Sequence, residues 1–348
     1  VRCCRRENTS AMDIAPPEGA QRLPRGVADP GGIAGYVCSA DGIERLDLRS
    51  GDRVWATTVA KYPVGLWRAR LIALRAAAQS PALQIVTLDL ERPDNPLVSS
   101  GPITVPAWAA AAPDRLFIEA SIEGDQLILV WTSQKAYEGG APPPRDIELA
   151  AARAAAGAAR IDLTSGEVEV TTTRPSRARA GSAELSQLRN GEWYSDRWMA
   201  GPEAVRTVLT EVEGGQRLSL EFGADDAAGE RVVVMEGTAL VSVVTLDGAH
   251  VIARDEGRAR AARNAIVFSI PARARVGAIT WEPEASDPSV LGNRVVYLVR
   301  RVERAATAQS LGAVALALCA RALQDDRVLW EHQLERVQTG PRQVRPRM

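Results

Sequence analysis

At 348 residues the chain is too long for one ordinary small domain and fits either a single large all-β domain or two average ones. Its 46% hydrophobic content supplies a sizeable core and excludes wholesale disorder. The 42 basic and 43 acidic residues nearly cancel, so no global field points to nucleic acid or to an anionic membrane.

Taken in chain order, residues 1–30 carry Pro16, Pro17, Pro24 and Pro30 among scattered charges, without apolar periodicity, and a flexible arm is expected there. Arg2, Arg5 and Arg6 are not followed by the apolar stretch of a signal peptide. The compartment stays open: cytoplasmic by default, extracytoplasmic if Val1 follows a removed signal. From Gly35 onward the chain is a succession of short β-rich runs separated by turn residues. They are Gly35–Ser39, Ile43–Leu48, Val54–Val59, Leu83–Leu90, Leu116–Ile122, Leu127–Thr132, Glu167–Thr173 and Val205–Val212. Leu218–Phe222, Arg231–Met235, Leu240–Leu246, Ala265–Ile270, Arg294–Val299, Ala313–Ala320 and Val328–Gln333 follow. Arg145–Ala159 departs from the pattern: it is alanine-rich and follows Pro142-Pro143-Pro144, which predicts a short helix or an insertion around 136–159. The β body therefore spans 31–335, and residues 336–348, with four arginines, read as a basic tail. The longest apolar run, Gly312–Ala320, is about half the ~20 residues of a membrane helix.

The chain is poor in the residues of common catalytic centres. Four cysteines, the adjacent Cys3-Cys4 and the lone Cys38 and Cys319, make neither a disulfide framework nor a zinc spacing. His250 and His332 are the only histidines, which disfavours imidazole metal centres and Ser–His or Cys–His nucleophiles. Nucleophile-elbow, P-loop and dinucleotide fingerprints are missing. Adjacent carboxylates on a strand face opposite ways, so Asp225-Asp226 and Asp325-Asp326 do not converge without a turn; Asp325-Asp326 has a turn role in the repeat described below, and Glu282 and Glu284 form the remaining pair. Arg174–Arg179 and Arg258–Arg263 read as solvated loops with acidic neighbours. No catalytic, cofactor-binding or metal-binding residue is assigned, and no cofactor is expected.

An internal repeat is the most informative feature. Residues 45–55 (RLDLRSGDRVW) read strand, tight turn, strand; residues 160–170 (RIDLTSGEVEV) reproduce them, and residues 320–330 (ARALQDDRVLW) keep the eleven-residue span. A weaker copy runs from Leu209 to Ser219. Asp47 and Asp162 can accept backbone N–H groups and pin the turn, Gly51 and Gly166 can take a positive φ, and Trp55 or Trp330 can pack on a neighbouring sheet.

This A-x-D-x-x-[ST]-G-x-x-x-W pattern resembles the repeat of PQQ-like, quinoprotein-type β-propellers, and its copies spread from residue 45 to residue 330. The resemblance implies an all-β propeller of six to seven four-stranded blades, seven being favoured, in preference to a sandwich or barrel. Some members of that family are dehydrogenases holding pyrroloquinoline quinone and calcium under a vicinal disulfide. Here Cys3-Cys4 lies in the expected arm, and no calcium cage is recognisable. The resemblance thus points to the non-catalytic branch, in which loops or edges bind other proteins. The alternative is a small-molecule or carbohydrate-binding propeller, hydrolytic or quinone-dependent. The candidate partner-binding residues are Trp193, Tyr194, Arg197 and Trp198, because aromatics and arginine carry much of the energy of interfaces. The competing reading makes Trp193 and Trp198 packing residues, as expected of Trp67, Trp108, Trp131 and Trp281.

Overall fold

The computed structural model describes residues 14–15, 20–77, 82–105, 116–133, 156–171, 185–195, 197–200, 202–223, 229–237, 241–246, 249–255, 263–282, 285–305 and 312–339. All of its regular structure is β, in six sheets that, apart from one short parallel strand added to the third, are antiparallel meanders laid down one after another along the chain. The chain divides into two compact units, Val1–Ser176 and Arg177–Met348, with three sheets each.

In the first unit, sheet one contains β2 (Gln21–Leu23), β3 (Gly26–Ala28), β4 (Ala34–Cys38), β5 (Ile43–Asp47) and β6 (Arg53–Thr57). Sheet two contains β7 (Tyr62–Trp67), β8 (Arg70–Ala76), β9 (Ala82–Asp89) and β10 (Pro96–Ser99), with β11 (Ile103–Thr104) also on β9. Sheet three contains β12 (Leu116–Glu123), β13 (Gln126–Ser133), β14 (Gly157–Asp162) and β15 (Val168–Thr171), and β1 (Ile14–Ala15) joins it parallel to β12.

In the second unit, sheet four contains β16 (Leu185–Arg189), β17 (Glu192–Ser195), β18 (Trp198–Ala200), β19 (Glu203–Val212), β20 (Gly215–Phe222) and β21 (Glu230–Gly237). Sheet five contains β22 (Val241–Leu246), β23 (His250–Asp255), β24 (Arg263–Ser269) and β25 (Ala274–Trp281). Sheet six contains β26 (Ser286–Leu291), β27 (Arg294–Arg304), β28 (Gly312–Ala322) and β29 (Val328–Thr339). These sheets are the blades of a β-propeller, six among the described residues, the lower end of the expected range.

Burial along each blade explains the sequence pattern. Every residue of β4 is buried, whereas outer β6 is largely exposed. A middle strand packed on both faces must be apolar throughout, and an outer strand need not be. Consecutive blades share cores: Val27, Tyr36 and Ile43 meet Leu71 and Val86, and Trp67, Ile72 and Leu74 meet Ile118, Leu127 and Trp131. In the second unit Val205, Leu220 and Phe222 meet Val251 and Phe268, while Val267, Ile279 and Trp281 meet Val295, Tyr297 and Cys319. Burying each such large side chain contributes about 1.5–3 kcal/mol.

The repeat is a recurring piece of geometry. In its three stronger copies it joins the last two strands of a blade: β5–β6, β14–β15 and β28–β29. The turn leucine is buried each time, as Leu48, Leu163 and Leu323. Its N–H donates to a carbonyl just before the third strand from the end of the blade: to Ile33 at 2.7 Å, to Asp125 at 2.9 Å and to Asn293 at 2.9 Å. Asp47 Oδ1 accepts the Arg49 N–H at 2.9 Å, and Asp162 Oδ1 accepts those of Thr164 and Ser165 at 2.8 Å each, as the aspartate reading expects. Gly51 (φ 79°), Gly166 (φ 80°) and Asp326 (φ 56°) occupy the same left-handed position. The weak copy is different, a two-residue hairpin with Val212 opposite Gly215.

Three boundaries shift. Residues 21–28, inside the expected arm, are β2 and β3 of the first blade. These three-residue strands have too little periodicity to be read alone and are defined by pairing, β2 with β3 and β3 with β4. At the other end β29 runs to Thr339, so Arg336 is a strand residue that pairs with Glu303 and not part of a tail. Within the expected insertion, residues 157–159 are the start of β14. Residues 134–155 lie outside the described residues, as do Cys3-Cys4, Trp108, the 174–179 loop, Asp196, Asp225-Asp226, residues 256–262 and Glu284.

Candidate functional site

The aromatic and arginine cluster singled out in the sequence falls on the fourth blade. β17 and β18 both pair with β19, as two pieces of one interrupted strand. At the break the Ser195 hydroxyl accepts the Thr207 N–H at 2.9 Å. Strand alternation then divides the cluster. Trp193 stands in register with Leu209 and Leu218 on the apolar face, and Trp198 (6% exposed) is buried in the same core. Tyr194 falls on the opposite, polar face with Glu192.

That polar face carries a network built around two carboxylates. Arg206, Glu221 and Arg231 stand directly opposite one another on β19, β20 and β21. Glu221, 3% exposed, accepts from Arg206 Nε at 2.8 Å, from Arg197 Nη2 at 3.1 Å and from Arg231 Nε at 3.0 Å. Arg231 reaches across the sheet and donates to both oxygens of Glu192, at 2.9 and 3.0 Å. Glu192 also accepts from Tyr194 Oη at 2.6 Å and from Thr210 Oγ1 at 2.8 Å. The guanidinium carbons of Arg206 and Arg231 lie 4.6 and 5.8 Å from the Tyr194 ring centroid.

These contacts set the electrostatics. Hydrogen bonding from Arg231, with help from Tyr194 and Thr210, lowers the Glu192 carboxyl to about 2. The adjoining carboxylate raises Tyr194, and Glu192 raises Arg231 further. A carboxylate so acidic, with both oxygens occupied, is a poor general acid or base near neutral pH. What the arrangement does well is fix Arg197 and Tyr194 rigidly.

Sequence reading identified Trp193, Tyr194, Arg197 and Trp198 but missed Glu192, Arg206, Thr210, Glu221 and Arg231. Only the two-residue spacing of Glu192 and Tyr194 hinted at a shared face. Elsewhere, Trp67, Trp131 and Trp281 are buried core residues, as expected. Trp55 reaches the second blade, its Nε1 donating to the Leu90 carbonyl at 2.8 Å. Asp325 and Asp326 diverge: Asp325 accepts the Arg327 N–H at 3.2 Å, while Asp326 accepts the Thr280 N–H at 2.9 Å and its hydroxyl at 2.5 Å on the fifth blade. Glu282 is bound by Arg301, which holds it below the usual carboxylate range and also bonds Glu331 at 2.7 Å. Cys38 and Cys319 are buried free thiols, and burial pushes Cys319 up. Among the described residues no helix is long and apolar enough to cross a membrane.

No protein-family model matches the chain, and no curated protein matches it in sequence. Solved structures similar to it include TolB from Acinetobacter baumannii, at 14% identity and a TM-score of 0.30 over 88% of this chain and 64% of that one. The Dos1 propeller follows at 9% identity and 0.25, over 90% of this chain and 70% of that one. An oligogalacturonate lyase in complex with manganese stands at 10% and 0.27, over 80% and 74%. Likeness at these scores carries no argument about activity. The six consecutive antiparallel blades themselves make the chain an all-β, propeller-type protein.

Proposed function

We propose that the chain is a PQQ-like repeat propeller of the non-catalytic branch, a scaffold that binds another protein through its fourth blade. The observation supporting this reading is a rigid polar network on one face of a blade that also exposes apolar residues. Leu188 (58% exposed) stands opposite Trp193, and Met199 (62% exposed) lies between Trp198 and Ala200. Trp193 and Arg197 are partly exposed and supply the contact; Trp193 packs on the core that contains Trp198, and Glu221 holds Arg197. Anchoring aromatics and arginine on pre-ordered supports avoids much of the entropy cost of association.

The test places a photo-crosslinking residue at Met199, at Leu188 and, as a control, at Val328 (46% exposed) on the sixth blade. One polypeptide captured from the first two positions and not the third, and lost in Trp193→Ala and Arg197→Ala, is expected. Equal capture from all three positions, or none alongside measurable turnover of a sugar or a quinone, overturns the proposal.

A further inference from the structure

A second feature lies away from the fourth blade. Between the first two blades is a cleft of about 420 Å³ lined by Asp29, Tyr36, Arg45, Trp67, Arg68 and Leu90, among others. That volume falls in the lower part of the usual range for small-molecule pockets.

Its most telling residue is Arg45. Tyr36, Arg45 and Trp55 stand in register on β4, β5 and β6, so an arginine stands between two aromatic residues whose ring centroids lie 6.0 Å apart. Its Nε is buried without a partner, and its Nη1 contact to the Leu90 carbonyl is 3.5 Å long, at an oxygen already taken by Trp55. The corresponding residue is the fully buried Ala320 in the sixth-blade copy of the repeat and the exposed Arg160 in the third-blade copy, so only here does this position hold a cation with a buried nitrogen between blades. A guanidinium left this open, beside a buried tyrosine, is costly to keep unless something binds it.

The opposite wall is also unusual. The β7–β8 hairpin turns through Arg68 (φ 45°) and Ala69 (φ 57°), where glycine or asparagine would be the easy choice. Strain of this kind collects at ligand sites. Arg68 is engaged with Asp125 at 2.7 Å and lies 5.0 Å from the Trp67 ring centroid. Asp29 Oδ1 is engaged by the N–H groups of Ile33 and Ala34, at 2.6 and 2.9 Å.

We propose that this cleft binds a small organic monocarboxylate with a compact apolar or aromatic body. The planar fork of Arg45 receives the carboxylate, and Leu66, Trp67 and Leu90 enclose the body. One guanidinium with open donors, in a cleft that also holds the Asp29 carboxylate, favours a single negative charge over a phosphate dianion.

Calorimetric titration of the full chain with 4-hydroxybenzoate, benzoate, benzyl alcohol, benzylamine and inorganic phosphate tests this. Binding of the two carboxylates at millimolar concentration or below is expected, weakened about tenfold or more in Arg45→Gln, with the alcohol and amine much weaker. Photolabelling of the unaltered protein with 4-azidobenzoate reads the site without any variant, and labelled peptides containing residues 66–69 or 90 are expected. Binding that ignores Arg45→Gln, labelling elsewhere, preference for phosphate, or no carboxylate binding at 10 mM (about 2.7 kcal/mol at 25 °C) overturns the assignment. Loss of the fourth-blade partner would leave this result unaffected.

Discussion

Gly166 and Gly214 share nearly the same backbone conformation, φ 80° and 82°, in quite different surroundings, so replacing each by alanine separates two costs. A Cβ at Gly214 meets nothing within 4 Å. Its penalty is the left-handed conformation alone, about 1–2 kcal/mol, partly offset by about 0.4–1 kcal/mol from the stiffer unfolded chain. Gly214→Ala should therefore cost about 1 kcal/mol. A Cβ at Gly166 lies 2.5 Å from the Ser99 carbonyl oxygen and 3.1 Å from its carbon, both backbone atoms of the second blade. The Gly166 carbonyl also accepts the Gly101 N–H at 2.9 Å, so relief of the clash strains the contact between blades. Overpacking of this kind adds about 1–3 kcal/mol, which places Gly166→Ala near 3 kcal/mol. Urea unfolding followed by tryptophan fluorescence reads both variants, and the unit carrying each change supplies its own transition if the two units melt separately. Equal costs for the two alanines, or a smaller one at Gly166, would refute the idea that the repeat's glycine is a docking point between blades as well as a turn residue.

Three further outcomes follow from the polar contacts. Glu221→Leu leaves Arg206 and Arg231 facing an apolar side chain and should cost about 3–5 kcal/mol in the same assay; a neutral result would show that the network is dispensable. The depressed Glu192 carboxyl favours the folded state wherever the group is ionised in both states, above about pH 4.5. That contribution fades as pH falls toward about 2, so the stability gap between the native chain and Glu192→Gln should close across that window; a gap constant with pH contradicts the geometry. In Asp326→Gly, relief of the positive φ competes with loss of the Thr280 and Arg321 bonds. Because bonds to a charged group are worth about 1.5–3 kcal/mol each, the variant should be less stable despite the easier turn, and a rise in its melting temperature would reverse that ranking.

Chemistry local to a few residues was readable in the amino-acid order. The hairpin of Asp47, Ser50 and Gly51 and its copy at Asp162, Ser165 and Gly166 determine their own turns, because the bonds closing them run between residues no more than five apart. The same holds for the β class of the body and for the buried Trp67, Trp131 and Trp281, which lie in apolar surroundings that the sequence displays. The β7–β8 hairpin was not readable, since Arg68-Ala69 carries no turn signal and is held at positive φ by the strands on either side. Nor were β2 and β3, whose short strands acquire meaning only beside β4. Glu192 and Arg231 stand 39 residues apart, and Arg45 and Leu90 stand 45 apart. Such pairings depend on strand register and on which blade packs against which, so tertiary structure alone decided that one arginine is saturated by carboxylates while another opens onto a cleft.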